Sequence, residues 1–305
     1  MEPNNTFEGQ VRLLIALLTS VAKQACFALK GCTAINLFVR DMPRLSVDID
    51  LAYLPVEDRN SSLANIDTAL GAITADIEQL FPGVNVKASV LSGTGKRFKL
   101  LVWQADASVK IEVTPVLRGS VYPVENRQMS PNAEKKFGFA RMPVLSFEDL
   151  YGGKICAALD RQHPRDLFDV HWLLEHEGID ERLKNAFLVY LMGHNRPMAE
   201  LLAPQLRDIA PLHMTELEGM TYEPVGLGQL EETLPRLIRE LNTIMTEADR
   251  RFLLALKEGT QNWKDFPLPE VERLPAIQWK IYNLNRMSLL KRRQAAAKLE
   301  KILFG

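Results

Sequence analysis

From Arg44 to Leu51 the chain reads RLSVDIDL, with Leu45, Val47, Ile49 and Leu51 alternating with Arg44, Ser46, Asp48 and Asp50. A period of two predicts a strand, because successive side chains point to opposite faces. Asp48 and Asp50 then stand side by side with Ser46 behind them. Aspartate is a poor strand former, and two carboxylates so close repel each other. The pair asks for a reason.

The surrounding pattern supplies more elements. Residues 6 to 25 have helix composition, FALK (27 to 30) reads as a short strand, and TAINLFVR (33 to 40) reads as a helix ended by Pro43. Leu63, Ile66, Leu70, Ile73, Ile77 and Leu80 recur at helical spacing before Pro82-Gly83. VNVKASVL, RFKLLVW and SVKIEVTPV follow as strands, joined by the turns SGTGK and QADAS. From Ser146 onward helical segments dominate, broken at prolines and by a Pro/Gly-rich connection over 211 to 228. The expected organisation is a mixed α/β domain over residues 1–143 and a helical domain over 144–305, an α+β architecture.

Composition narrows the class. The 305 residues carry 37 Lys and Arg against 38 Asp and Glu, so no global basic field marks a nucleic-acid binder, although a local patch is compatible with it. Three cysteines in a chain of this size do not form a disulfide framework and suit a reducing cytoplasm. The polar, acidic N-terminus is wrong for a signal peptide, and the apolar run Leu13 to Ala22 falls short of the ~20 residues a membrane span needs. A soluble cytoplasmic protein is expected.

Paired carboxylates two apart on a strand have one recurrent use, holding a divalent cation through oxygen ligands. An isolated pair is more often a solvated strand edge, so context decides. Upstream, LKGCTAINL turns from a strand at Gly31 into a helix near Thr33. Such a helix N-terminus offers free N–H groups to phosphate, with Thr33 able to cap it and to offer its hydroxyl. A third carboxylate is expected on a neighbouring strand. In SVKIEVTP, Lys110, Glu112 and Thr114 share one face, which makes Glu112 the candidate third ligand and general base.

These residues resemble the AbiEii/AbiGii toxin family of the nucleotidyltransferase superfamily. The family's Gly-Gly-Thr turn reads Gly31-Cys32-Thr33 here, and its R-x-S-x-D-I-D strand reads Arg44 to Asp50. A second block is similar over SFEDLYGGKICAALDRQHPRDLFDVHWL (146 to 173), and weaker ones over RPMAELLAP, EGMTYEPV and LPAIQWKIYNL. The resemblance implies a nucleotidyltransferase-like mixed sheet with flanking helices, followed by a helical C-terminal domain. It implies Mg²⁺ or Mn²⁺ as cofactor, an NTP as substrate, tRNA as acceptor, and a toxin role in abortive infection beside an AbiEi-like antitoxin. By the same resemblance Asp48, Asp50 and Glu112 hold metal, and Gly31, Cys32, Thr33 and Ser46 serve the nucleotide. Lys154 neutralises phosphate, and Asp166 positions it. Two positions depart from the family: Cys32 replaces a glycine, and a left-handed backbone there would strain it; Glu112 stands where relatives often have Asp. Alternative readings are transfer to a small molecule or a protein hydroxyl, and a nucleotide-binding module that no longer catalyses.

Other signals carry less. In SGTGKR the position five before the Gly-Lys pair is Val90, so no P-loop is present. His171 and His176 lack zinc spacing, and Cys156 reads as packing. Between 286 and 301 six basic residues oppose Glu300 alone. Arg286, Lys291, Arg292 and Arg293 are therefore candidate RNA contacts on a C-terminal basic helix.

Overall fold

The computed structural model describes residues 5–305, and the stretch Met1 to Asn4, part of the polar N-terminus, lies outside the described residues. The chain forms two compact units. The first runs to Leu150 and takes in Leu217–Pro224; the second comprises Tyr151–Glu216 and Val225–Gly305.

In the first unit α1 (Asn5–Ala22) leads to β1 (Phe27–Lys30) and α2 (Gly31–Ala34), which continues as a π-helical turn over Ile35–Val39. Then come β2 (Asp48–Tyr53), α3 (Arg59–Leu80), β3 (Asn85–Val90), β4 (Arg97–Gln104), β5 (Ala107–Val113), β6 (Glu125–Gln128), α4 (Pro131–Phe137), β7 (Arg141–Val144) and the start of α5 (Phe147–Arg161). The seven strands form one sheet in the order β3-β4-β5-β2-β1-β7-β6. β2 runs parallel to β5 and β1 parallel to β7, while the other neighbours are antiparallel.

The sheet owes its position to its apolar registers. Ile49 and Leu51 on β2 and Val109, Ile111 and Val113 on β5 are buried. α1 packs on β5 and β7, and α3 on β3 and β4. α3 supplies Leu63, Ile66, Leu70, Ile73 and Ile77, all buried. Each such side chain contributes roughly 1.5–3 kcal/mol relative to exposure. Asp58 starts α3 by accepting from the backbone N–H of Asn60 and Ser61.

The expected strands and hairpins are present, with three differences. The helix after β1 begins at Gly31 rather than near Thr33, and its N-cap residue is Lys30, so Thr33 is not the cap. Gly31 takes the left-handed turn at φ 72°, whereas Cys32 is not among the positive-φ residues, and its side chain is not strained. The division between units falls inside α5 rather than at 143/144, and residues 217–224 return to the first unit. That return is pinned by backbone bonds, Leu45 N–H to the Met220 carbonyl and Tyr222 N–H to the Pro43 carbonyl, beside a fully buried Arg44.

The second unit is helical: α6 (Pro164–His176), α7 (Glu181–Gly193), α8 (Met198–Leu202), α9 (Ala210–Glu216), α10 (Leu227–Ile244), α11 (Glu247–Glu258), α12 (Pro275–Asn285) and α13 (Leu289–Phe304). Leu230, Leu234, Leu237 and Leu241 form the buried stripe of α10, which packs on α6. A buried ion pair, Lys184 to Asp249 at 3.0 Å, joins α7 to α11. No described helix is long and apolar enough to cross a membrane.

Candidate active site

The register of β2 against its neighbours assembles the polar residues. Asp48 lies opposite Lys110 and Asp50 opposite Glu112 on β5, while Lys30 on β1 lies opposite Asp50. Directly paired residues point to the same face, so Asp48, Asp50, Glu112, Lys110 and Lys30 share one side of the sheet. The packed apolar registers Ile49/Leu51 and Ile111/Val113 point the other way.

Two lysines balance the carboxylates. Lys110 Nζ stands 3.6 Å from Asp48 Oδ2 and 3.5 Å from Glu112 Oε2. Partial burial opposes its charge, but Asp48, Asp50 and Glu112 together outweigh burial and hold the ammonium above the usual lysine range. Lys30 donates to Thr114 Oγ1 at 2.8 Å. Burial pulls its pKa down, against the opposing pull of Asp50 and Glu112. Sequence reasoning gives neither lysine a role, although the alternation in SVKIEV already puts Lys110 on the face of Glu112.

The turn is tied to the carboxylate strand. Thr33 is fully buried, its hydroxyl donates to the Asp48 backbone carbonyl, and it lies 2.9 Å from Ser46 Oγ. These bonds engage the Thr33 hydroxyl within the protein, where the sequence pattern offers it to a phosphate. Gly31 borders Asp50 so closely that a Cβ there would force the Asp50 carboxylate to move, and its positive φ independently favours glycine. Ser46 is likewise buried and supports the approach to β2.

The donor set suits a hard divalent cation. It is all carboxylate oxygen, it has a cradle at Gly31 that a Cβ would fill, and its repulsion is relieved by Lys110 in the way an added cation would relieve it. Among the described residues no three such groups already converge on a common metal position.

Lys154 and Asp166 meet in the second unit. Lys154, 5% exposed, contacts Asp166 Oδ1 at 2.7 Å and Asp169 Oδ2 at 3.0 Å, and both carboxylates are buried. Arg161 reaches the other Asp166 oxygen. Burial opposes ionisation of Asp166, but Lys154 and Arg161 hold its carboxyl far below the usual range. At the start of α5, Ser146 accepts from Asp149 N–H, and the Asp149 carboxylate accepts from the N–H groups of Val121 and Tyr122.

The C-terminal basic residues do not form one stripe. Arg286 follows the end of α12 and stacks over Tyr282, while Lys291, Arg292 and Arg293 lie on α13. Arg292 turns inward, donating to the Lys257 carbonyl at the end of α11 at 3.0 Å and filling the space beside Gly259. It is a helix cap, not an exposed contact. Lys291 and Arg293 are exposed.

The family model for the nucleotidyl transferase AbiEii toxin of type IV toxin–antitoxin systems matches residues 12–282. MenT4, a nucleotidyltransferase toxin from Mycobacterium tuberculosis H37Rv, shares the fold with a TM-score of 0.58 at 17% identity, covering 97% of this chain and 93% of its own. JHP933 from Helicobacter pylori aligns with a TM-score of 0.46 at 18% identity, over 80% of this chain and 93% of its own. No curated protein matches. The family match spans most of the chain, both units included, and the chain belongs to the AbiEii nucleotidyltransferase toxin family of type IV toxin–antitoxin systems.

Proposed function

We propose that this toxin transfers a nucleoside monophosphate from an NTP to an RNA acceptor, a tRNA, releasing pyrophosphate and arresting growth unless a cognate AbiEi-like antitoxin is present. The observation that carries the reading is the shared face of Asp48, Asp50 and Glu112 on paired β2 and β5. These three would hold Mg²⁺ or Mn²⁺. Such a cation, when bound, supplies charge neutralisation to the phosphates and acidifies an attacking hydroxyl.

The remaining chemistry belongs to the chain. Glu112 accepts the proton of the acceptor hydroxyl. The backbone of Gly31 and Cys32 at the start of α2 receives triphosphate oxygens. Thr33 and Ser46 hold that turn against β2, so their role is to position it. Lys110 stabilises the carboxylates before substrate arrives. Lys154 neutralises phosphate charge, and Asp166 sets the position of its ammonium.

The test is transfer of α-phosphate label. The protein is incubated with Mg²⁺, total tRNA and each of the four NTPs in turn. RNA-sized label with one nucleotide supports the proposal. Label confined to a small molecule or to protein would replace the acceptor, and absence of both label and pyrophosphate despite NTP binding would mark a binding module.

A further inference from the structure

Two clefts in the second unit adjoin along α13. One of about 360 Å³ is lined by Lys257, Lys291 and Lys298. The other, of about 470 Å³, is lined by Arg196, Arg207 and Lys298. Glu200 and Lys298 border both, and among the described residues Glu200 is the one carboxylate lining either. Glu200 is already engaged, at 3.3 Å from Arg196 Nε and 3.6 Å from Lys298 Nζ, and Arg196 is further paired with Asp160 at 2.7 Å, which leaves Lys257, Lys291 and Arg207 as the cations that Glu200 and Asp160 do not answer.

Lys257 distinguishes this surface from an ordinary basic face. It is only 9% exposed, yet it lines the smaller cleft. Burial pushes its ammonium below the usual lysine range, and Arg292 pushes it further, with no carboxylate among the described residues opposing them. Lys280 adds another cation within electrostatic reach of Lys257. A buried cation without a counter-charge is costly. An arriving anion would remove that cost.

We propose that this double cleft binds the phosphate groups of an RNA backbone, with Lys257 at its floor and Lys291, Lys298 and Arg207 along its length. Lys291 and Lys298 lie on one face of α13 seven residues apart, roughly 10 Å at 1.5 Å per residue, and Arg207 extends the basic lining into the second cleft. Cations divided between two adjoining clefts suit an extended phosphodiester better than one compact triphosphate. The assignment rests on the RNA-acceptor reading above and gives that acceptor a second point of attachment, away from Asp48 and Asp50 in the chain.

The experiment measures binding of a labelled ~20-nucleotide single-stranded RNA to the full chain by fluorescence anisotropy across a salt series. The variants are Lys257→Met with Lys298→Gln, and Lys291→Gln with Lys298→Gln; Lys291 and Lys298 are exposed, so the second pair leaves the core untouched and adds no negative charge beside Glu200. We expect each pair to weaken binding ~10-fold or more and to flatten the salt slope by about two, near one for each phosphate no longer bound. An unchanged slope in the second pair overturns the proposal. So does weakened binding of metal-free ATP with RNA binding intact, which would assign the cleft to free nucleotide, or competition by polyglutamate as strong as by RNA, which would assign it to an acidic peptide. The label-transfer assay runs alongside. RNA labelling with an unchanged slope would remove the cleft and leave the transfer reading, whereas a flattened slope without labelling would do the reverse.

Discussion

A Cβ on Gly31 would stand 2.7 Å from Oδ2 of Asp50, and Gly31 itself sits at φ +72°. The residue that turns the chain into α2 therefore also makes room for a site carboxylate. Gly31→Ala should cost about 1–2 kcal/mol in backbone strain and lower the melting temperature by a few degrees. Displacing Asp50 should reduce transfer on the order of 100-fold. Thermal melts and label transfer read the two effects separately, and full activity in the alanine variant would refute the cradle.

Lys110 is the internal counter-charge of Asp48 and Glu112. Lys110→Met leaves the carboxylates to repel one another, and the variant should lose about 1 kcal/mol without divalent cations. Added Mg²⁺ should then raise its melting temperature more than that of the parent. An equal Mg²⁺ shift in both proteins would mean that Lys110 and the cation do not answer the same charge.

In the second unit Lys154 neutralises two buried carboxylates, Asp166 and Asp169. Lys154→Met strands that charge and should destabilise by ~3–5 kcal/mol. Adding Asp169→Asn should restore part of the loss, since Arg161 still pairs with Asp166. Urea midpoints for the single and double variants decide; no recovery in the double variant would deny the ion triad its structural part.

Lys280 titrates abnormally. Burial, with help from Lys257, pulls its pKa down to about 8, while its ammonium donates to the His194 carbonyl. The unfolded chain binds the proton more tightly, so the destabilisation is fully present below pH 8 and is relieved as pH rises toward the ordinary lysine value near 10.5. Relative to Lys280→Met, the parent should gain about 2 kcal/mol between roughly pH 7.5 and pH 10. Paired denaturation curves at the two pH values check the sign, and a parent that loses stability relative to the variant would contradict it.

The strands that build the site are legible in the sequence because they alternate. β1, β2 and β5 follow FALK, VDIDL and SVKIEV closely, and β2 and β5 put Asp48, Asp50 and Glu112 on one face by period alone. β6 and β7 are not legible. ENRQ has no apolar register, and RMPV carries Pro143, a residue that argues against a strand away from a sheet edge. The pairing of β2 with β5 rather than β4 is non-local and leaves no mark in either segment. The basic C-terminus misleads for a related reason. Charge counting along 286 to 301 does not reveal that the chain breaks between α12 and α13, or that Arg292 commits its guanidinium to the end of α11. Lys257 carries no signal in the sequence and acquires its significance only through burial.

Whether the chemistry resides on the β2/β5 face is tested most directly by pyrophosphate release under saturating NTP, tRNA and Mg²⁺ for the parent chain, Asp50→Asn, Glu112→Gln and Lys264→Gln. Lys264 is exposed in the second unit and takes no part in the proposed chemistry. We predict release by the parent and by Lys264→Gln, and loss of at least about 100-fold in the two carboxylate variants while each keeps its fold. Release undiminished in Asp50→Asn or Glu112→Gln would contradict the assignment and move the chemistry away from that face.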